Sequence, residues 1–387
     1  MHRVHGVKTA AALALFGALL APVHSSASPK WTPAHAKAVL RQSVFFVTDE
    51  TQADRPDYQL SFSARASRSL RVVGRRFVFS GLAHDAVTDT DVHVRFTFVS
   101  PGRVTGFQGP TADKTQPSVP IRAAFYYAWY PEAWFRYPVI PYSRFRPSLD
   151  LYSADEARTV RAHTDAMLYA HLDAGIYSWW GRDGYPPTDT RFARYLAAAR
   201  TTPLRWAIYY EREGYANPSV QTIRADLEYI RDTYASKPAY LKIGGRFVVY
   251  VYGNSDDNCD STAARWREAN TVGAYVVLKA FDGFRSCNAQ PDAWHQYSAA
   301  LPEYDLAPDA FMIAPGFDEP SEGSSRLSRD PTRWRADAAA MVASNARWQL
   351  VLTFNEWPEG TSVESAREWA SPSGYGVYLD VLHQVLP

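Results

Sequence analysis

Three glutamates fall within twelve residues. Glu356, Glu359 and Glu364 belong to the stretch TFNEWPEGTSVE (Thr353–Glu364), which follows a short apolar run, WQLVL, and Trp357 stands between the first two. Two readings compete. Acidic residues gather where helices begin, because the exposed backbone amides there carry partial positive charge. Alternatively, two carboxyls on one turn can divide the work of acid and base, as glycoside hydrolysis requires. Glu356 and Glu359, three residues apart on a turn leaving a strand, would then lie on one side of the loop. Burial beside Trp357 and other rings would raise one pKa toward neutrality and leave the other group ionised. Glu364 is expected to support the loop rather than to react.

Other chemistries find less in the sequence. There is no G-x-S-x-G elbow for a serine nucleophile, and the ten histidines form no H-E-x-x-H or other compact ligand set. His163 and His171 read as packing or surface residues of one helix, and His295, in PDAWHQY, as a candidate ligand contact. No metal and no cofactor is expected.

The glutamates need a scaffold. From Ile121 onward, short apolar runs alternate with longer helical stretches: AAFYYAWY, GIYSWWG, RWAIYYE, RFVVYVYG, AYVVLKAFDG, AFMIAPG and WQLVLTFNEW. Near-continuous apolar strands separated by helices imply a parallel sheet covered on both faces. Helices are expected at 155–172, with Ser153 and Glu156 as a capping box, from Asn217 as cap with Pro218 at the first helical position, and at 331–344. Seven strands imply a (β/α)8 TIM-type barrel over 117–387, with the eighth strand expected in SAALPEYDL or after Glu364. An open doubly wound sheet is less suited, because no glycine-rich phosphate turn is present. In such barrels the active site lies at the C-terminal strand ends. Those ends carry Trp129 and Tyr130, Trp179 and Trp180, Glu211, Tyr250 and Tyr252, Asp282, then Asn355 and Trp357. Polar and aromatic residues drawn from several strands make the wall of a sugar-binding cleft, although a Trp-Trp pair taken alone reads more often as core.

Residues 34–116 read instead as a small all-β domain. QSVFFVTD, YQLSFSAR, RVVGRRFVFSG and DVHVRFTFVS are short runs of β-branched and aromatic residues. TADKTQPSVP, polar and carrying two prolines, reads as a linker. At the N-terminus, Arg3 and Lys8 precede the apolar TAAALALFGALLA, and Ser25 and Ala27 form a small-x-small site. This is the pattern of a signal peptide over 1–27, hence of a secreted protein. In an oxidising compartment the two cysteines, Cys259 and Cys287, are expected to pair.

With 41 basic against 40 acidic residues, the net charge of +1 offers no footprint for nucleic acid. No other apolar run is long enough to insert in a membrane. The partner is expected to be a polysaccharide or oligosaccharide, and the chain a monomer.

FNEWPEGTSVE closely resembles the FNEWHEGT-x-IE signature of glycoside hydrolase family 99, the endo-acting α-mannosidases and α-1,2-mannanases. FYYAWY, GIYSWWG, IYYERE and APGFDE resemble the family's other motifs in order, so the resemblance spans roughly 123–387. It implies a retaining mechanism in which Glu356 deprotonates the sugar 2-hydroxyl. That oxygen attacks the anomeric carbon to give a 1,2-anhydro sugar, while Glu359 acts first as acid and then as base. Glu211 would hold substrate hydroxyls, with Tyr130, Trp180 and Tyr252 lining the cleft. The sequence departs from the family at Pro358, which replaces the signature histidine, and at REGYANP after Glu211. The alternatives are a hydrolase of the same fold acting on a non-mannan cell-wall glycan, and a non-catalytic carbohydrate-binding protein.

Overall fold

The structure is a computed structural model that describes residues 12–15, 32–42, 44–48, 57–73, 76–100 and 103–387. The leader expected over 1–27 therefore lies outside the described residues, apart from Ala12–Leu15. The chain forms two compact units that divide between Ala112 and Asp113.

In the first unit, seven strands form one antiparallel sheet. They are β1 (Ala12–Leu15), β2 (Phe45–Thr48), β3 (Tyr58–Ser61), β4 (Arg71–Val73), β5 (Arg76–Asp85), β6 (Thr90–Ser100) and β7 (Arg103–Gln108). Their order is β1-β2-β3-β5-β6-β7, with β4 paired to β5. Phe77 and Phe79 on β5 and Phe96 and Phe98 on β6 bury every second side chain, the period that sends alternate residues to one sheet face. The unit is not all β. Helix α1 (Pro33–Gln42) occupies the start of the stretch expected to be all β, because Ala36 and Leu40, four residues apart on one helical face, are both buried in this core.

The second unit is the barrel. Its strands are β8 (Ile121–Tyr126), β9 (Ala174–Trp179), β10 (Arg205–Tyr210), β11 (Lys242–Ile243), β12 (Arg246–Val251), β13 (Tyr275–Lys279), β14 (Ala293–His295), β15 (Glu303–Leu306), β16 (Ala310–Ile313) and β17 (Trp348–Val351). Helices α2 (Ala157–Tyr169), α3 (Thr188–Ala198), α4 (Arg212–Ala216), α5 (Val220–Ile230), α6 (Ala264–Ala269), α7 (Pro331–Ala343) and α8 (Val377–Val385) accompany them. Parallel ladders run β14-β13-β12-β10-β9-β8-β17-β16, so eight parallel strands nearly close, the one gap in the ladder falling between β14 and β16.

The eighth strand is β14, in PDAWHQY, and not where the sequence reading put it. SAALPEYDL holds β15, which pairs antiparallel with β16. Three residues containing a tryptophan and a histidine carry no apolar run, so β14 leaves little periodic signal. Two helix starts also differ. Glu156 makes no side-chain cap, and Ser153 Oγ instead accepts from Asp155 N, so α2 begins at Ala157. Asn217 adopts a left-handed conformation, and Ser219 caps α5 by accepting from Thr222 N at 3.2 Å. The start of the expected linker is bound to the barrel: the buried Arg205 guanidinium donates to Thr115 O at 2.7 Å and Asp113 Oδ1 at 3.0 Å.

A disulfide joins Cys259 and Cys287, whose Cα atoms are 5.0 Å apart. No helix among the described residues is long and apolar enough to cross a membrane.

Candidate active site

Residues 353–364 leave β17 as a loop clipped at its base. Thr353 N donates to Thr361 O at 2.9 Å, and Val363 N returns a bond to Thr353 O at 2.9 Å. Within the loop, Glu356 N donates to the Thr353 hydroxyl at 2.8 Å and Gly360 N to Trp357 O at 3.0 Å. Gly360 has φ +61°, and a Cβ there would stand 2.7 Å from Asp318 O. Only glycine meets both conditions. Asp318 N binds Glu359 O at 2.8 Å, and the half-buried Arg329 donates to Gly360 O and Ser362 O at 2.8 and 2.7 Å. The Arg329 guanidinium is itself sandwiched over Trp369 and Tyr378, 4.0 and 4.8 Å from the ring centroids.

Below the loop lies a polar knot. Glu364 is buried and accepts from Tyr152 Oη at 2.8 Å and Trp357 Nε1 at 3.0 Å, with His163 Nε2 3.0 Å from its other oxygen. His163 in turn meets Tyr126 Oη at 2.6 Å. A fully satisfied network of this kind fixes orientation and leaves no oxygen for chemistry. Asn355 joins the last strand to the first: its side chain accepts from Tyr127 N and donates to Tyr127 O, each at 2.8 Å.

Above the knot stand the other two glutamates. Glu356 Oε2 accepts from Tyr297 Oη at 2.5 Å, and Tyr297 Oη accepts from Tyr127 Oη at 2.8 Å. Burial, and then the adjacent Glu359 charge, hold the Glu356 carboxyl well above the usual carboxylate range. Burial first, and the negative charge of Glu319 second, raise Glu359 to about 7. Its Oε2 is buried with no hydrogen-bond partner among the described residues. Glu211, at the end of β10, accepts from Ser178 Oγ at 2.7 Å, and burial is the main reason its pKa reaches about 8. Lys279 opposes this cluster from the end of β13, its Nζ 4.8 Å over the Tyr252 ring, and burial lowers its pKa. The Glu359 charge thus raises both Glu356 and Glu211, whereas Glu359 itself is raised by burial and by Glu319 and is lowered by its contact with Glu356.

Around these carboxyls the structure gathers Trp129, Trp180, Glu211 and Tyr252 from the sequence-based set. Trp129 stacks on Tyr127 at 4.5 Å, and Trp180 Nε1 donates to Ser178 Oγ at 3.0 Å. Others lie elsewhere. Trp179 is fully buried behind the barrel wall with Nε1 on Asp189, because successive strand residues face opposite sides. Tyr250 fills the barrel interior against His295 and Trp348, and the buried His295 has a pKa lowered to about 3 by desolvation. Tyr130 is buried and donates to Asn355 O at 2.7 Å, and Trp357 is buried against Trp369. Asp282 is exposed in the turn after β13. Tyr127, Ser178, Lys279, Tyr297 and Arg329 were not anticipated. Tyr127 sits inside FYYAWY, whose alternation with the buried Tyr126 was the available signal, whereas Tyr297 follows the unrecognised β14. No group of three or more potential ligands for a metal occurs among the described residues.

A nearly closed parallel barrel with carboxyls of raised pKa on the loop after its last strand is an arrangement able to serve as paired acid and base. Comparison with known proteins narrows this. Residues 128–283 match the family described as Glycosyl hydrolase family 99, a span that includes Glu211 and ends before the Glu356 loop. The chain is 24% identical over 271 residues to a glycoprotein endo-alpha-1,2-mannosidase of Xenopus laevis, covering 58% of this chain and 59% of that one. It is 23% identical over 288 residues to a human glycoprotein endo-alpha-1,2-mannosidase-like protein, covering 62% and 61%. The chain thus spans about three fifths of the length of these relatives. In three dimensions it is similar to the GH99 endo-alpha-mannosidase from Bacteroides thetaiotaomicron, with a TM-score of 0.55 at 18% identity, over 70% of this chain and 97% of that one. Over residues 128–283 in sequence, and in its barrel fold, the chain is thus similar to glycoside hydrolase family 99.

Proposed function

We propose that the protein is a secreted, retaining glycoside hydrolase that cleaves an α-mannan-type polysaccharide internally, with Glu356 and Glu359 as its reacting groups. The observation that carries this reading is the contrast between the two carboxyls on one rigid loop. Glu356 has an oxygen fixed by the Tyr127–Tyr297 relay, which suits a base of defined direction. Glu359 has a buried oxygen with no partner and a pKa of about 7, which suits an acid near neutrality. In the first step Glu356 takes the proton of the sugar 2-hydroxyl, and O2 attacks the anomeric carbon. The glycosidic bond breaks as its oxygen receives the Glu359 proton. In the second step Glu359 takes a proton from water, the resulting hydroxide opens the 1,2-anhydro ring at C1, and O2 recovers its proton from Glu356. Two inversions at C1 give net retention. The reactive form has Glu356 ionised and Glu359 protonated, one of the two tautomers of a pair sharing one proton.

The relatives' printed activity supports the mannoside class, and the leader pattern with the Cys259–Cys287 bridge supports export. The test is hydrolysis of α-1,2-linked mannan by wild type, Glu356→Gln and Glu359→Gln, with folding checked by thermal melts. Wild type is expected to release oligosaccharides of retained anomeric configuration, and each variant to lose about 100-fold or more in kcat. Variants that cleave at the wild-type rate would refute the assignment.

A further inference from the structure

We propose that the cleft continues from the carboxyls along a row of four aromatic rings into a distal subsite for one uncharged sugar unit of the substrate chain. The proposal rests on the glycan-cleaving reading above and deepens it. The row begins at Tyr127, whose hydroxyl touches the Tyr297 that holds Glu356. It passes to Trp129 at 4.5 Å, Trp180 at 6.1 Å and Tyr215 at 5.3 Å, measured between ring centroids. Trp180 and Tyr215 are nearly coplanar in stack, 22° apart, and Tyr215 remains 56% exposed. A tyrosine kept in place solely for packing would hide its face. Flat amphipathic rings left partly open are the surface on which sugar C–H faces settle.

Beyond Trp180 the row opens into a cavity of about 570 Å3, walled by the 181–184 loop, α4 and α5. Its polar wall has a definite charge balance. Arg182 and Arg212 both reach the fully buried Asp226, at 3.2 and 3.0 Å, and Tyr210 Oη binds the same carboxylate at 2.8 Å. Asp183 lines the cavity from the same loop as Arg182. Two cations against two carboxylates leave no net charge to attract a phosphate or a uronate. With Asp226 buried behind the wall, the remaining guanidinium N–H groups can donate and the Asp183 carboxylate can accept hydrogen bonds from hydroxyl groups. Tyr215 belongs to REGYANP, the segment in which this chain departs from the family pattern, so the subsite is a property of this chain.

Because the cavity lies three ring-steps from Glu356, it is reached by a sugar removed from the bond being cleaved, and hydrolysis should depend on chain length. The test uses α-1,2-linked manno-oligosaccharides of two to six units with wild type, Tyr215→Ala and Ala225→Trp, the last filling the cavity from the exposed face of α5. Wild type is expected to favour the longest over the shortest substrate in kcat/KM, and both variants to cut that ratio at least tenfold. A ratio unchanged in both variants, or no length dependence in wild type, overturns the subsite. Calorimetric binding of the same series to Glu359→Gln, alone and combined with Ala225→Trp, separates the two claims. Length-dependent binding lost on filling the cavity upholds the subsite even where wild type cleaves nothing, whereas no binding at any length overturns it.

Discussion

At the scale of single residues, the distinctive feature is a set of carboxyls tuned by one another. Glu319 stays ionised because Tyr142 Oη donates to it at 2.6 Å, which lowers its pKa, with Ser321 and nearby arginines adding to the effect. Its negative charge is the second cause, after burial, of the raised pKa of Glu359. Replacing Glu319 by Gln removes that charge, so Glu359 gives up its proton at lower pH. The basic limb of the kcat/KM profile is therefore expected to start near neutrality in wild type and to move to lower pH in Glu319→Gln. A pH series on both proteins checks it, and coincident limbs would show that Glu319 does not govern the acid. That Glu356, Glu359 and Glu364 share one loop at a strand end was legible in the sequence, because they directly follow the apolar run of β17. The tyrosines that aim Glu356 were not. A tyrosine in a strand looks the same whether its hydroxyl meets water, backbone or a carboxylate, and that choice is made by residues far away in sequence.

At the scale of elements, the loop after β17 carries both of the proposed reacting carboxyls. Its shape depends on Gly360, where φ is +61° and Asp318 O lies within 2.7 Å of any added Cβ. Gly360→Ala combines a left-handed alanine, costing roughly 1–2 kcal/mol, with displacement of either the loop or Asp318. The expected result is a lower melting temperature and a loss of kcat larger than the stability change explains, since Glu359 O binds Asp318 N beside the substitution. Wild-type kcat in Gly360→Ala would mean that the loop does not position the acid. The long barrel strands could be read from the sequence, because burial on both faces makes them continuously apolar. The eighth strand could not, since three residues suffice when β13 supplies the ladder on one side. The cap of α2 failed for a local reason: the Glu156 carboxylate accepts from Arg158 Nε at 2.5 Å, and the Ser153 hydroxyl accepts from Asp155 N.

At the scale of the molecule, the barrel carries one covalent restraint. The Cys259–Cys287 bridge closes 28 residues between the start of the α6 region and the segment before β14. In the chain-entropy view such a loop stabilises the fold by about 3–4 kcal/mol. Cys259→Ser with Cys287→Ser is expected to lower the denaturation midpoint accordingly, measured in oxidising buffer. An unchanged midpoint would show that the bridge is mechanically idle. The pairing itself was legible, because a chain with two cysteines has one way to join them. Helix α1 was not, since an amphipathic decapeptide beside strong β runs is recognised only through the sheet it covers.

Asn355 binds Tyr127 across 228 residues of sequence, in both directions. A chain that leaves the ribosome or crosses a membrane from its N-terminus has therefore already delivered Tyr127 long before Asn355, Glu356 and Glu359 arrive. On the proposed reading, the early strands carry ring surfaces of the cleft and the late loop carries its reacting groups. Cleavage would then await the pairing of Asn355 with Tyr127, and a chain stopped before Asn355 would lack both glutamates.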